Sequence, residues 1–192
     1  MTILKNPTSD TGVDKKSESL NGVKLFYGVC GSIGAVEAVR QIRELRRHGA
    51  SVFAVMTPAS KQFITPLSLQ WASQNPVLEE LSASSEHLEP MHAMIICPAS
   101  WNTLVALKAG FCPNALTTIA ALQISKKNPM LIVPTLHAEF MQHPQFNSTL
   151  EELNSYHGVQ IIHGPFEEGR YKMPQPEQLA KNFIEVFNSR VS

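Results

Sequence analysis

GVCGSIGAVEAVRQIRELRRHG, residues 28–49, is the stretch that decides the fold. A short apolar run, Lys24–Cys30, leads into closely spaced glycines, and a long amphipathic segment follows. Buried strand, tight turn and helix in that order open a βαβ crossover. Ile33, Val36, Val39, Ile42 and Leu45 recur every three residues and are expected to form the sheet-facing stripe of a helix over 33–48. Glu37, Arg40, Arg43, Glu44, Arg46 and Arg47 are expected to cover much of the rest. Basic side chains crowd the last turn, where the helix dipole favours them, and Gly49 follows as the C′ residue.

The alternation continues along the chain. Apolar runs at Ser51–Met56, Ala93–Cys97, Met130–Val133 and Val159–Ile162 read as further strands. Each is short, bounded by turn residues and apolar on both faces, as strands covered by helices are. Helical patterns lie near 66–73, 101–109, 114–125, 144–156 and 176–189. The fold expected is α/β: a Rossmann-like, doubly wound, mainly parallel sheet with helices on both faces. An α+β domain with some antiparallel strands is the alternative. Residues 1–22 are polar and rich in Ser, Thr, Asp and Lys, and are expected to be a disordered arm. Residues 23–192 suit a single domain with a substantial core.

Sixteen basic residues balance sixteen acidic ones, so no strong field recruits nucleic acid or an anionic membrane. No apolar run approaches a membrane span, and the N-terminus lacks the h-region of a signal peptide. Three cysteines, Cys30, Cys97 and Cys112, show no C-x-x-C spacing, which fits a reduced, cytoplasmic protein. Seven scattered histidines form no H-E-x-x-H or comparable pattern, so no metal is expected.

The chemistry begins at the turn after the first strand. Gly28, Gly31 and Gly34 are not spaced as G-x-G-x-x-G, and no G-K-[ST] follows. Gly31 and Ser32 still end a strand and open a helix, where free N–H groups and a hydroxyl make an anion site. The second run ends Val55-Met56-Thr57-Pro58-Ala59-Ser60, with hydroxyls where a dinucleotide fold carries a ribose-binding carboxylate. That favours a mononucleotide such as FMN over NAD. Pro98-Ala99-Ser100-Trp101-Asn102-Thr103 follows the third run and opens another helix. Ser100 alone reads equally as a simple N-cap. Three polar turns at the carboxyl ends of parallel strands point instead to one ligand site.

In order and spacing, GSIGA, VMTPASKQFITPLSL, CPASWNTLVALKAGFCPNALTT and PTLHAEFMQHP resemble the homo-oligomeric flavin-containing cysteine decarboxylases. The resemblance covers roughly residues 23 to 188. It implies a Rossmann-like FMN protein, a lyase or oxidoreductase, assembled as a homotrimer or homododecamer with FMN at subunit contacts. The family includes phosphopantothenoylcysteine decarboxylases, lantibiotic peptidyl-cysteine decarboxylases and, more distantly, flavin prenyltransferases. By this resemblance Gly31, Ser32 and Ile33, then Thr57 and Ser60, then Ser100, Trp101, Asn102 and Thr103, and finally Thr135 contact FMN. His87, in Glu86-His87-Leu88-Glu89, matches the histidine that helps remove a proton as the cysteine thiol is oxidised to a thioaldehyde, after which carbon dioxide leaves and an enethiol forms. Histidine suits that step, being basic near neutral pH.

Three departures bear on the substrate. The segment from His87 to Pro98 is about one helical turn shorter than in the family, which makes His92 the fallback base. His137 stands where the family's P-x-M-N motif has an asparagine that binds the substrate carboxylate. No cysteine follows Cys112, whereas the resemblance implies that the phosphopantothenoylcysteine enzymes use a late cysteine to protonate the enethiol as it is reduced. In its place Gly169-Arg170-Tyr171-Lys172-Met173-Pro174 resembles the peptide-clamping loop of the lantibiotic enzymes. Arg170 or Lys172 then binds a C-terminal carboxylate and Tyr171 packs on the peptide. The expected activity is oxidative decarboxylation of a peptide's C-terminal cysteine or a related small thiol carboxylate. A phosphopantothenoylcysteine decarboxylase and a non-catalytic FMN-binding or regulatory subunit are the alternatives.

Overall fold

The computed structural model describes residues 12–82 and 90–191. Five strands, β1 (Lys24–Val29), β2 (Ser51–Met56), β3 (Ala93–Ala99), β4 (Met130–Pro134) and β5 (Val159–Ile161), form one sheet in the order β2-β1-β3-β4-β5. All four pairings are parallel. The helices are α1 (Ala38–Arg47), α2 (Pro66–Ser73), α3 (Trp101–Lys108), α4 (Ala115–Ser125), α5 (Ala138–Met141), α6 (Phe146–Ser155) and α7 (Pro176–Val191). Short 3-10 turns at Ile33–Glu37 and Pro58–Gln62 precede α1 and α2. Among the described residues no helix is long and apolar enough to cross a membrane.

Strand side chains alternate between two cores, as a pleated strand requires. Leu25, Tyr27 and Val29 join Ile42, Leu45, Leu69 and Phe183 on the face covered by α1, α2 and α7. Phe26 and Cys30 join Leu104, Leu116, Ile119, Phe146 and Leu153 on the face covered by α3, α4 and α6. Every residue of β3, the central strand, is buried. Helix ends are marked as the residue types require: Asn114 and Thr117 form a reciprocal capping box, and Gly49 closes α1 with φ +97°.

The first helix presents a different face from the one the threefold repeat suggests. Ile33 and Val36 are 60% and 47% exposed, while Ala35, Ala38, Gln41, Ile42, Glu44 and Leu45 are buried. A step of three residues falls 60° short of a full turn at 100° per residue, so a strict repeat of three drifts off one face. The buried set instead follows spacings of three and four. Residues 33–37 are also 3-10, with Ala35 packed into the core and Ile33 and Val36 left exposed.

The N-terminal segment differs too where the structure describes it, residues 1–11 of the expected arm lying outside the described residues. Within the expected arm, Leu20 is fully buried, Lys16 and Leu20 donate their amides to the Arg47 and His48 carbonyls, and Lys16 pairs with Glu44 at 2.7 Å. Glu44 is itself enclosed and also meets Arg47 at 2.8 Å. Burial works to raise its pKa, but the hydrogen bonds from Lys16 and Arg47 outweigh it and hold the carboxyl below its ordinary value. A buried carboxylate on α1 thus recruits a polar segment. Two further features carry no periodic signal: the four-residue α5 and an antiparallel hairpin, β6 (Phe166–Glu167) and β7 (Arg170–Tyr171).

Candidate functional site

The strand order reverses direction beside β1, which has β2 on one side and β3 on the other. Ligands in open parallel sheets bind outside the carboxyl ends of strands at such a point. Here the turns after β1, β3 and β4 converge. Ser32, in an extended conformation, caps the turn at Ile33–Glu37 by accepting the Gly34 amide at 3.3 Å. Thr135 Oγ1, from the turn after β4, donates to Ser32 Oγ at 3.3 Å. Ser32 Oγ therefore accepts twice among the described residues and keeps its own proton for a further acceptor. Ser100 caps α3, accepting the Thr103 amide at 3.4 Å.

Two clefts meet over this floor. One, about 480 Å³, is lined by Gly31, Ser32, Ser100, Asn102 and Thr135, with Phe63, Trp101 and Phe140 as aromatic walls. Phe63 and Phe140 are more than a third exposed, and Trp101 lies 5.9 Å from Phe140 and 5.3 Å from His143 between ring centroids. The other cleft, about 380 Å³, runs between Ser32–Arg40 and the strap Glu167–Gln175. Thr135, His137 and Arg170 line both.

Gly31 shows why the first turn needs a glycine. A Cβ there would lie 2.6 Å from Ala59 Cβ and 3.1 Å from the Ala59 carbonyl carbon. The turn after β2 therefore seats directly on the turn after β1. A Cβ on Gly34 would likewise meet Met173 of the strap at 2.8 Å.

The ten cofactor residues expected from sequence separate into two groups. Gly31, Ser32, Ile33, Ser100, Trp101, Asn102 and Thr135 line the larger cleft. Thr57, Ser60 and Thr103 do not. Ser60 Oγ donates to the Thr57 carbonyl at 2.7 Å, and Thr57 Oγ1 points at the Val29 carbonyl at 3.5 Å. Thr103 Oγ1 is buried between Cys30 Sγ at 3.1 Å and Ser100 Oγ at 3.2 Å. These enclosed hydroxyls satisfy local acceptors and hold the turns from behind, as buried hydroxyls must.

The four residues expected to bind substrate line one cleft together. The His137 backbone bridges that of Arg170, and Ala138 donates its amide to Gly169 at 3.0 Å, so the hairpin is stitched to the turn after β4. Lys172 pairs with Glu168, and Arg170 reaches the same carboxylate at 3.7 Å. The Lys172 bond, then the charges of Lys172 and Arg170, lower the Glu168 pKa. Tyr171 stacks on His163 at 4.3 Å and meets Phe166 edge-on.

His87 lies outside the described residues. His92 is placed where it cannot act as the fallback. It precedes β3, exchanges backbone and Nδ1 hydrogen bonds with Lys24, and so sits at the amino edge of the sheet. The seven residues of β3 separate it from the site by roughly 20 Å. Phe63 and Phe140 line the larger cleft and Arg40 and Met173 the smaller without having been expected there: the three apolar residues lie in short segments with no periodic signal, and Arg40 reads from sequence only as part of the solvated face of α1. Of the thiols, burial raises the Cys30 pKa and pushes Cys97 up to about 12, so neither is a thiolate at neutral pH.

The donor set fits a flavin mononucleotide. Hydroxyls and the first N–H groups of a helical turn suit a phosphate, and three aromatic walls suit a planar ring.

Residues 13–188 match the family model described as Flavoprotein. The chain is 34% identical over 176 residues to the coenzyme A biosynthesis bifunctional protein CoaBC of Thermococcus kodakarensis, covering 88% of this chain and 43% of that one. It thus spans less than half the length of that relative. It is 31% identical over 141 residues to a probable phosphopantothenoylcysteine decarboxylase of Streptococcus mutans, covering 69% of this chain and 78% of that one. The solved structure of the peptidyl-cysteine decarboxylase EpiD superposes with a TM-score of 0.73 at 24% identity, over 84% of this chain and 98% of that one. At that identity the likeness shows a shared Rossmann-like fold.

Proposed function

Because the chain belongs to the Flavoprotein family and its cofactor is FMN, we propose that it decarboxylates a thiol carboxylate of the phosphopantothenoylcysteine kind. The observation that carries this reading is the 34% and 31% identity to relatives named for coenzyme A biosynthesis and for that decarboxylation. It reverses the order expected from sequence, in which a peptide's C-terminal cysteine came first.

FMN, when bound, supplies the two-electron acceptor that turns the substrate's thiol-bearing carbon into a thiocarbonyl, the electron sink for loss of carbon dioxide. The chain's own residues bind and orient. Ser32, the amides that follow it, and the Ser100 turn would hold the phosphate. Thr135 orients the Ser32 hydroxyl and leaves its proton outward. Phe63, Trp101 and Phe140 would exclude water from the ring. His137 and Arg170, shared by both clefts, are the groups to receive the substrate carboxylate, Arg170 by charge and His137 by a ring N–H. His87 is the proposed base, and Tyr171 and Lys172 would flank the substrate from the strap. A homo-oligomer, trimer or dodecamer, is part of the same proposal: Ile33 and Val36 leave apolar surface at the cleft rim.

One observation favours the peptide substrate as a second reading: no cysteine follows Cys112 in the sequence to supply the proton that reduction of an enethiol needs. The test is carbon dioxide release from phosphopantothenoylcysteine and, in parallel, from a peptide ending in cysteine, with products identified by mass. Turnover of the first alone supports the proposal. Turnover of the peptide alone replaces it with the second reading. Stoichiometric FMN with neither activity marks a non-catalytic flavin-binding subunit.

A further inference from the structure

Gln41 is a fully buried amide on the sheet-facing side of α1, where apolar residues surround it. Burying an amide is costly unless its atoms are bonded. Its oxygen accepts from Tyr27 Oη on β1 and from Cys97 Sγ on β3, the latter at 3.4 Å. Burial holds both donors in their protonated forms, raising the Tyr27 phenol well above its ordinary value and Cys97 to about 12. The amide orientation follows, since two donors must face the oxygen. Nε2 is thereby turned outward and donates to the Pro174 carbonyl at 2.9 Å.

Pro174 lies near the carboxyl end of the strap. Met173 beside it is buried, with its sulfur 3.8 Å from Cys97 Sγ, and it occupies the space that Gly34 leaves. Immediately before them stand Arg170, Tyr171 and Lys172, which wall the smaller cleft. Gly169 and Arg170 are stitched to the turn after β4 and the Lys172 amide donates to the Pro165 carbonyl, whereas Pro174 beyond them is held from the core through Gln41.

We propose that Gln41 is a positioning residue for substrate: with Tyr27 and Cys97 behind it, it latches the strap at Pro174 and sets where Arg170, Tyr171 and Lys172 stand over the cleft. The role of these three toward substrate rests on the proposed function, whereas the latch does not. Gln41→Met keeps length and volume and removes the bond to Pro174.

Trypsin reads the latch without substrate, because Arg170 and Lys172 lie in the strap. In the FMN-loaded protein, Gln41→Met is expected to raise cleavage after these two residues about tenfold, the factor implied by losing one buried hydrogen bond of ordinary worth. Cutting elsewhere stays at the wild-type rate. FMN affinity stays within about threefold, since the phosphate turns keep their own caps, while KM rises about tenfold at little-changed kcat. Tyr27→Phe, which keeps the Pro174 bond, is expected to be cut like wild type. If Gln41→Met cannot be purified, Met173→Ala loosens the same segment and takes its place, with the same selective cleavage expected. Unchanged strap cleavage overturns the proposal, as does uniform cutting accompanied by a parallel loss of FMN, which would make Gln41 part of the general core. Selective cutting with no turnover of any thiol carboxylate leaves the latch standing and refutes the proposed reaction instead.

Discussion

Gly31→Ala tests whether the seat between the turns after β1 and β2 builds the flavin cleft. Carbon atoms in good contact sit about 3.5–4.0 Å apart. The added Cβ would lie 2.6 Å from Ala59 Cβ and 3.1 Å from its carbonyl carbon. One of the two turns must therefore move by roughly 1 Å, and because the obstacle is partly backbone no rotamer change relieves it. Overpacking of this kind costs about 2 kcal/mol. For a chain of this size that is a fall in melting temperature of roughly 4–8 °C. The displaced turn carries Ser32, so FMN affinity is expected to fall by about tenfold or more, since tenfold needs only 1.4 kcal/mol. Gly28→Ala is the matched control. Its Cβ would meet Leu116 Cδ1 at 2.9 Å, the far end of a flexible side chain on the opposite face of the sheet. It is expected to lower stability modestly and to leave FMN affinity alone. The assay is flavin fluorescence titration of the apoprotein beside thermal melting. The reasoning is refuted if Gly31→Ala binds FMN like wild type, or if both variants lose affinity equally.

Three further outcomes are expected. Ser32→Ala removes both the cap on Gly34 and the hydroxyl facing the cleft; it should cost about 1 kcal/mol of stability but weaken FMN several-fold, whereas equal FMN affinity would exclude Ser32 from the phosphate site. Native protein should react with one equivalent of a thiol reagent at Cys112, the exposed cysteine, and all three thiols only after denaturation; rapid labelling of Cys97 would contradict its burial. Glu44 has a lowered pKa, so its contribution is present above the ordinary carboxylate pKa and is lost as pH falls through the folded value. Melting temperature should therefore fall more steeply between neutral and acid pH in wild type than in Glu44→Gln, and parallel profiles would remove Glu44 as the clasp of the N-terminal segment.

Much of the candidate site was legible because a parallel sheet places every strand's carboxyl end on one edge. Once Gly31-Ser32, Ser100-Trp101-Asn102 and Thr135 were assigned to strand ends, their convergence followed from topology. Side-chain direction within each turn did not follow. Ser32 and Ser60 are both hydroxyls just past a strand, yet one faces the cleft and the other bonds the Thr57 carbonyl. The 3-10 geometry of each turn makes that choice, and no local pattern encodes it. The place of His92 was legible as well: it directly precedes the run from Ala93, so chain direction alone puts it at the amino end of β3, away from the edge that carries the site.

The strand–helix alternation, the burial of strands on both faces and the helix ends marked by Ser100 and Gly49 were all present in the amino-acid sequence. These follow from hydrophobic period and capping chemistry, which act over a few residues. Long-range packing set which face α1 buries, that Lys16 would pair with Glu44 while Leu20 packs into the core, and that Gln41 would reach Pro174 across 133 positions. Such contacts join segments that share no local signal. They arise where a buried polar group must find a partner, and the partner is whichever part of the chain the assembled layers bring within reach.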